Sequence, residues 1–267
     1  MPVDVEARVL RNTRLSSDYN VIALAAPEIA SHAAPGQFVM VKPARSSDPL
    51  LRRPFSVFEI LRQDGVVTGL TLLSKRIGVT TAMLFDAGEG DVVSCLGPLG
   101  RPFVLPEPPG EAWMVAGGVG LAPFATLADA LRERGTPATL FYGARSGREL
   151  FYEDWFAERG VRLVLSTEDG SRGTHGRVTA PLEQALKKTS ADVTVYACGP
   201  EPMLAAVAKL AHAHGKPSQV SVERVMGCGM GGCYSCVIPV RDRGGEEHYV
   251  RSCIGGPVFA GADLVWD

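Results

Sequence analysis

The stretch AWMVAGGVGLAPFATLADAL, residues 112–131, changes its hydrophobic rhythm at one glycine-rich turn. Before the turn, AWMVA is a short unbroken apolar run, as expected of a strand buried on both faces. After it, LAPFATLADALRERG reads as a helix that ends on Gly135. Strand, glycine turn and helix in this order open a parallel α/β sheet. Gly117, Gly118 and Gly120 let such a turn close and let a dinucleotide approach the main chain. The run is not GxGxxG, so the turn alone does not name its ligand.

Downstream the alternation continues. ATLFYGAR, VRLVLSTEDG and DVTVYACGP read as strands, and ELFYEDWFAERG, PLEQALKK and EPMLAAVAKLAHAHG as helices. A parallel sheet with crossover helices is expected over residues 102–220. Cys198, Gly199 and Pro200 end its last strand, on the side where open sheets bind ligands. Cys198 there could face a nicotinamide, or fill a small buried space.

Upstream, residues 1–101 are β-rich. VDVEARVL, NVIALAAP, GQFVMVKP, FSVFEIL, GLTLLSK and GDVVSCLG are short apolar or alternating runs cut by Gly, Pro and Asp, with one helical stretch, VTTAMLFDAG. An antiparallel barrel is expected. Within it, LLRRPFSVFEI sets Arg53, Pro54, Phe55 and Ser56 at the start of a strand. An arginine can pair with a pyrophosphate, an aromatic ring can lie against a flavin, and a serine can hydrogen-bond its edge. Such an arginine is more often a solvated edge residue. Gly78, Thr80 and Thr81 open the helical stretch, where free N–H groups favour a phosphate, although either threonine could be a plain helix cap.

Residues 221–267 are too few to bury a core without a staple. They hold Cys228, Cys233, Cys236 and Cys253, spaced C-x4-C-x2-C and then x16-C, with Gly227, Gly229, Gly231 and Gly232 in the loop. Zinc sites favour two CxxC-like pairs. Three ligands from one loop and a fourth from a distant strand are the plant-type arrangement for a [2Fe–2S] cluster. A structural zinc loop and disulfides are the weaker alternatives.

Composition narrows the function classes. The 267 residues are 46% hydrophobic and 21% charged, enough for two domains, or three if one is small. A net charge of −2 leaves no basic footprint for nucleic acid. Neither a signal core nor a spanning apolar run is visible, so no membrane role and a cytoplasmic location are expected. Clustered thiols in a reducing compartment point to metal. The five histidines are scattered, and no acid–base or nucleophile pair is visible, so no catalytic side chain is expected.

Taken in order, RPFS, the Gly-Thr turn, GGVGLAP, YGAR, STEDGSRGTHG, CGPEPM and the cysteine loop with CIGGPVF resemble the ferredoxin reductase-like family. The short appended loop makes the chain similar to the electron transfer subunits of class 1B dihydroorotate dehydrogenases. The resemblance spans essentially the whole chain. It implies FAD on the barrel, at Arg53–Ser56, Leu72, Leu73, Ser74, Thr80 and Thr81. It also implies NAD on the α/β unit and a [2Fe–2S] cluster on the four cysteines. Three departures stand out: Phe55 replaces a frequent tyrosine, Ser74 a common tyrosine, and Thr80 a glycine. The implied function is a relay in pyrimidine biosynthesis. An FMN-containing catalytic partner, in a heterotetramer of two plus two, oxidises dihydroorotate, and its electrons pass through this chain to NAD+. Alternatives with the same cofactors are the flavin subunit of a sulfhydrogenase or of a ferredoxin-dependent transhydrogenase. A zinc-stapled flavin-binding module without turnover is the non-enzymatic reading.

Overall fold

VDVEARVLRNTR alternates inward apolar with outward polar side chains. In the structure, a computed structural model describing residues 1–43, 48–242 and 244–266, it forms the longest strand, β1 (Val3–Arg14). β2 (Tyr19–Ala25), a short helix α1 (Pro27–Ala30), β3 (Phe38–Lys42), β4 (Arg53–Ser56), β5 (Ile60–Gln63), β6 (Val66–Lys75), helix α2 (Val79–Asp86) and β7 (Val92–Leu99) complete the first unit. Its strands pair antiparallel in the order β4-β3-β7-β1-β2-β6-β5. The sheet curls until its two edges meet just beyond β4. There the Phe58 N–H donates to the Thr71 carbonyl, and the Thr71 N–H donates to the Glu59 carbonyl, both at 2.9 Å. Ala7, Val9, Ile22, Leu24, Val39, Val41 and Leu72 fill the interior. This is the expected antiparallel barrel.

The second unit runs β8 (Glu111–Gly117), α3 (Ala122–Glu133), β9 (Ala138–Ala144), α4 (Glu153–Glu158), β10 (Arg162–Thr167), β11 (Thr174–His175), α5 (Thr179–Lys188), β12 (Val193–Cys198), α6 (Glu201–Ala213) and β13 (Ser218–Ser221). Its strands pair parallel. The apolar run of β8 is explained by burial on both faces. Ala112, Met114 and Ala116 enter one core, while Trp113 and Val115 enter the other. From β8 the chain adds β9 and β10 on one side and β12 and β13 on the other, so the topological switch point lies between β8 and β12.

The last residues form a hairpin, β14 (Val237–Arg241) with β15 (Glu247–Arg251), a single turn α7 (Ser252–Gly255) and a strand β16 (Val258–Ala260). β16 pairs antiparallel with β13 and so closes the edge of the second sheet. Residues 258–260, expected in the third unit, therefore hydrogen-bond as part of the second unit's sheet. The hairpin has little core of its own. Ile238 and Val240 pack into the α/β core, and Cys236, Cys253 and Met226 pack on the barrel residues Phe38, Met40, Leu96 and Leu99. Barrel and α/β unit also share a core, in which Val21, Phe58, Leu73 and Phe103 meet Leu121, Phe124 and Tyr196. No helix among the described residues is long and apolar enough to cross a membrane.

Candidate cysteine centre and nucleotide sites

The x16 gap between Cys236 and Cys253 is a hairpin. Its register pairs Val237 with Arg251, so Cys236 enters and Cys253 leaves at the same end, and the Ser252 N–H donates to the Cys236 carbonyl at 2.9 Å. Folding of the hairpin alone thus brings the fourth cysteine to the loop. The loop turns through left-handed residues at Gly229 (φ +71°), Gly231 (φ +81°) and Tyr234 (φ +59°). At Gly231 a methyl group would fall on the Ile254 side chain. Arg251 fastens the loop by donating to the Gly231 carbonyl at 2.7 Å and lying 4.7 Å from the Tyr234 ring centroid.

The four thiols influence one another: Cys233 is affected by Cys228, and buried Cys253 by buried Cys236 and, more weakly, by Cys228. Cys233 lies 3.2 Å from the Ser235 hydroxyl, which also accepts the Gly227 N–H at 2.9 Å. Ser235 first, and Cys228 after it, draws the Cys233 thiol down to about 6, toward the thiolate that iron requires. Burial, reinforced by Cys236, pushes Cys253 up to about 12. The Met230 N–H points at the Cys228 sulfur at 3.4 Å. Among the described residues no three His, Cys, Asp or Glu side chains gather as the ligands of one ion do. Four thiols that influence one another, with backbone N–H groups turned toward the sulfurs, fit a two-iron group.

The two arginines at the start of the RPFS strand differ. Arg52 is tied to the barrel, donating to both Asp4 carboxylate oxygens at 2.7 and 2.9 Å and to the Ser94 hydroxyl at 2.7 Å. Arg53 is exposed and donates to the Leu51 and Arg52 carbonyls, with no acidic partner among the described residues. Pro54, Phe55 and Ser56 are half-buried beside it on β4. Leu72, Leu73 and Ser74 are buried. β6 outruns β5 beyond Leu70, so the outer main-chain edge of these three has no partner strand among the described residues. The buried Ser74 hydroxyl likewise has no hydrogen-bond partner there. At the head of α2 the Thr81 hydroxyl accepts the Ile77 and Gly78 N–H groups, both at 2.9 Å, and donates to the Gly78 carbonyl. Thr81 thus serves as the cap, and Thr80 is buried. Arg53, Phe55, Ser56 and the open edge of β6 fit a flavin best.

At the switch point the two glycine turns pack on each other. A methyl at Gly120 would land on the Cys198 carbonyl oxygen, and one at Gly117 would come within 2.8 Å of the Met203 sulfur and 2.9 Å of Pro200. Gly199 has φ +153° and abuts Gly117. These glycines bring the ends of β8 and β12 together, which leaves Gly118 facing the barrel, 3.8 Å from the Tyr19 hydroxyl were it to carry a methyl. Burial pushes the Cys198 thiol up to about 12, so it is a neutral neighbour of this crevice rather than a nucleophile. β6 contacts the Gly118–Leu121 turn, which sets the proposed flavin edge against the proposed nicotinamide turn.

Comparison with known proteins separates the readings left open by geometry. Residues 114–209 match the oxidoreductase NAD-binding domain, and residues 223–265, with all four cysteines, match the iron–sulfur cluster binding domain of dihydroorotate dehydrogenase B. The dihydroorotate dehydrogenase B (NAD(+)) electron transfer subunit of Desulforamulus reducens is 35% identical over 262 residues, 98% of each chain. The corresponding subunit of Geobacillus kaustophilus is 42% identical over 233 residues, 86% of each. The chain belongs to this family. Among solved structures, an NADH-dependent reduced ferredoxin-NADP oxidoreductase studied for flavin-based electron bifurcation superposes with a TM-score of 0.85 at 28% identity, covering 98% of this chain and 91% of its own.

Two residues of this family member escaped the motif reading. Tyr19 packs on Phe151 (centroids 5.0 Å apart), carries Lys75 at 4.8 Å from its ring centroid and stands opposite Gly118. In sequence it only begins an apolar strand. Glu59 lies at the junction of barrel and α/β unit and accepts a hydrogen bond from the Thr71 hydroxyl at 3.2 Å; burial raises its pKa, and Thr71 and Trp155 of α4 oppose the rise. Nothing in FSVFEI distinguishes it from an outward strand carboxylate.

Proposed function

We propose that this chain carries electrons from a dihydroorotate-oxidising, FMN-containing partner to NAD+. Cys228, Cys233, Cys236 and Cys253 hold a [2Fe–2S] cluster, Arg53–Ser56 and the open edge at Leu72–Ser74 hold FAD, and the turns at Gly117–Gly120 and Cys198–Pro200 hold the nicotinamide. The carrying observation is the seat of the cysteine loop: it packs on β3, whose partner strand β4 bears the RPFS run. FAD, when bound, accepts electrons singly and returns them as a hydride. The residues of the chain supply the rest. Arg53 offers an uncommitted positive charge to a pyrophosphate, Ser235 favours the thiolate at Cys233, and the packed glycine turns hold the crevice shut against water.

Exposed Met230, Tyr234, Tyr249 and Ile254 surround the cysteine loop and form the apolar face for the partner. We propose an assembly of two plus two, a cytoplasmic location in which the thiols stay reduced, and domains spanning 1–101, 102–220 and 221–267. Likeness to the reduced ferredoxin-NADP oxidoreductase supports a second reading, in which the same cofactors serve a ferredoxin-type donor. Copurification decides. A dihydroorotate-oxidising FMN protein eluting with this chain, at a mass of two copies of each, supports the first reading; a hydrogenase or transhydrogenase subunit refutes it.

A further inference from the structure

β3 is apolar on both faces, which a barrel wall exposed on its outside does not require. Val39 and Val41 point into the barrel core, whereas Phe38 and Met40 point outward and join Leu96, Leu99, Met226, Cys236 and Cys253. The outer face is therefore a dry bed under the cysteine loop, and Met40, fully buried, lies at its centre. Directly above it is Gly229, next to Cys228 in the chain. A methyl there would stand 2.5 Å from Met40 Cγ, 3.1 Å from its sulfur and 3.2 Å from Leu99 Cδ1. On the neighbouring strand Met40 is the register partner of Pro54, between Arg53 and Phe55. One side chain thus touches the ligand loop and sits beside the RPFS run.

We infer that Met40 is a positioning residue for electron transfer: it seats the cysteine loop, through Gly229, at a fixed distance from the flavin strand and keeps water from the inner side of the cluster. The inference rests on the proposal that Arg53–Ser56 hold FAD. The apolar shell around a metal centre governs solvent access and so its potential. A thioether chain is suited to the task because it fills an irregular gap without a polar atom that needs a partner.

The test uses the full chain carrying its cluster and FAD, in four variants: Met40→Leu, Met40→Ala, Gly229→Ala and the double Met40→Ala/Gly229→Ala. The readouts are the midpoint potential of the cluster and the rate at which electrons placed on it reach the flavin. Met40→Ala opens the bed to water, which stabilises the more negative reduced cluster and raises the potential. Gly229→Ala lifts the loop and slows the transfer roughly tenfold, the scale of losses on altering the shell of a metal centre. The double variant recovers the part of that rate lost to the clash with Met40, because the removed side chain makes room for the new methyl, while the left-handed backbone at 229 stays strained. Met40→Leu preserves both readouts. An unchanged potential in Met40→Ala overturns the inference, and so does a double variant no faster than Gly229→Ala. If Gly229→Ala does not fold, the potentials of the two Met40 variants still decide. FAD content after Arg53→Ala tests the flavin proposal separately, since it leaves the contact between residues 40 and 229 untouched.

Discussion

Arg53 and Arg52 are neighbours of the same type with different duties, and only their partners tell them apart. Asp4 and Ser94 hold Arg52, whereas Arg53 leans on two carbonyl oxygens, with no acidic partner among the described residues, and is the arginine proposed for FAD. Replacing Arg53 with Ala removes a charge-assisted bond to phosphate, so FAD binding should weaken by about 1.5–3 kcal/mol. Titration of the apoprotein with FAD measures it, and affinity equal to wild type removes Arg53 from the site. The cysteines make a second prediction. Anaerobically prepared protein should contain iron and acid-labile sulfide in equal amounts, and Ser at any one of Cys228, Cys233, Cys236 or Cys253 should lose or destabilise the cluster. Zinc in place of iron would sink the assignment. The spacing alone suggested these four as ligands, because a cluster constrains its ligands tightly, and the matched iron–sulfur cluster binding domain spans all of them. Thr81 was legible only as an ambiguity, since a phosphate turn and a capped helix ask for the same hydroxyl at the same place. Here the hydroxyl bonds the Ile77 and Gly78 N–H groups.

Between elements, the information lies in contacts that no local pattern carries. The alternation of strands and helices revealed the parallel sheet, and AWMVA revealed a strand covered on both faces. The edge strand β16 was missed because three residues, VFA, have no period of their own; they become a strand only when β13 offers its edge. Gly120 was expected to make room for a ligand, yet its first constraint is the Cys198 carbonyl. Ala at position 120 must displace main chain rather than a flexible side chain. It should cost about 1–3 kcal/mol as an overpacking change, read as a lower urea midpoint at constant m-value. The Glu59 junction adds a pH dependence. Burial raises its folded pKa above that of an ordinary glutamate, opposed first by Thr71 and then by Trp155. A carboxyl with a raised folded pKa favours the folded state below its unfolded pKa, and that benefit is lost as pH rises through the folded value. Glu59→Gln keeps an acceptor for the Thr71 hydroxyl without the charge. Its stability relative to wild type should therefore grow as pH rises above about 4.5, the unfolded value for a glutamate. A difference that stays flat across denaturation midpoints measured from acid to neutral pH would contradict this.

Over the whole molecule, three structural units meet around β3, β6 and the switch point of the α/β sheet, and their order in space follows the order of the relay. The cysteine loop lies on the outer face of the barrel, β4 and the end of β6 carry the residues proposed for FAD, and the Gly118–Leu121 turn adjoins β6 from the other side. Entry and exit are thus on different units, which makes the two half-reactions separable. The isolated chain should oxidise NADH with an artificial acceptor that reaches the flavin directly. It should leave dihydroorotate untouched, because abstracting a substrate proton needs a base within hydrogen-bond reach, and no sequence motif supplies one. Half-buried Glu59 has its pKa raised by burial, but it is engaged with the Thr71 hydroxyl at the unit junction. Adding the catalytic partner should create dihydroorotate-to-NAD+ transfer. A variant without the cluster should lose that coupled reaction yet retain much of the NADH half, because NADH reaches the flavin from the α/β side. Dihydroorotate oxidation by the chain alone would refute the division of labour, and an undiminished coupled reaction without the cluster would remove the cysteine loop from the path.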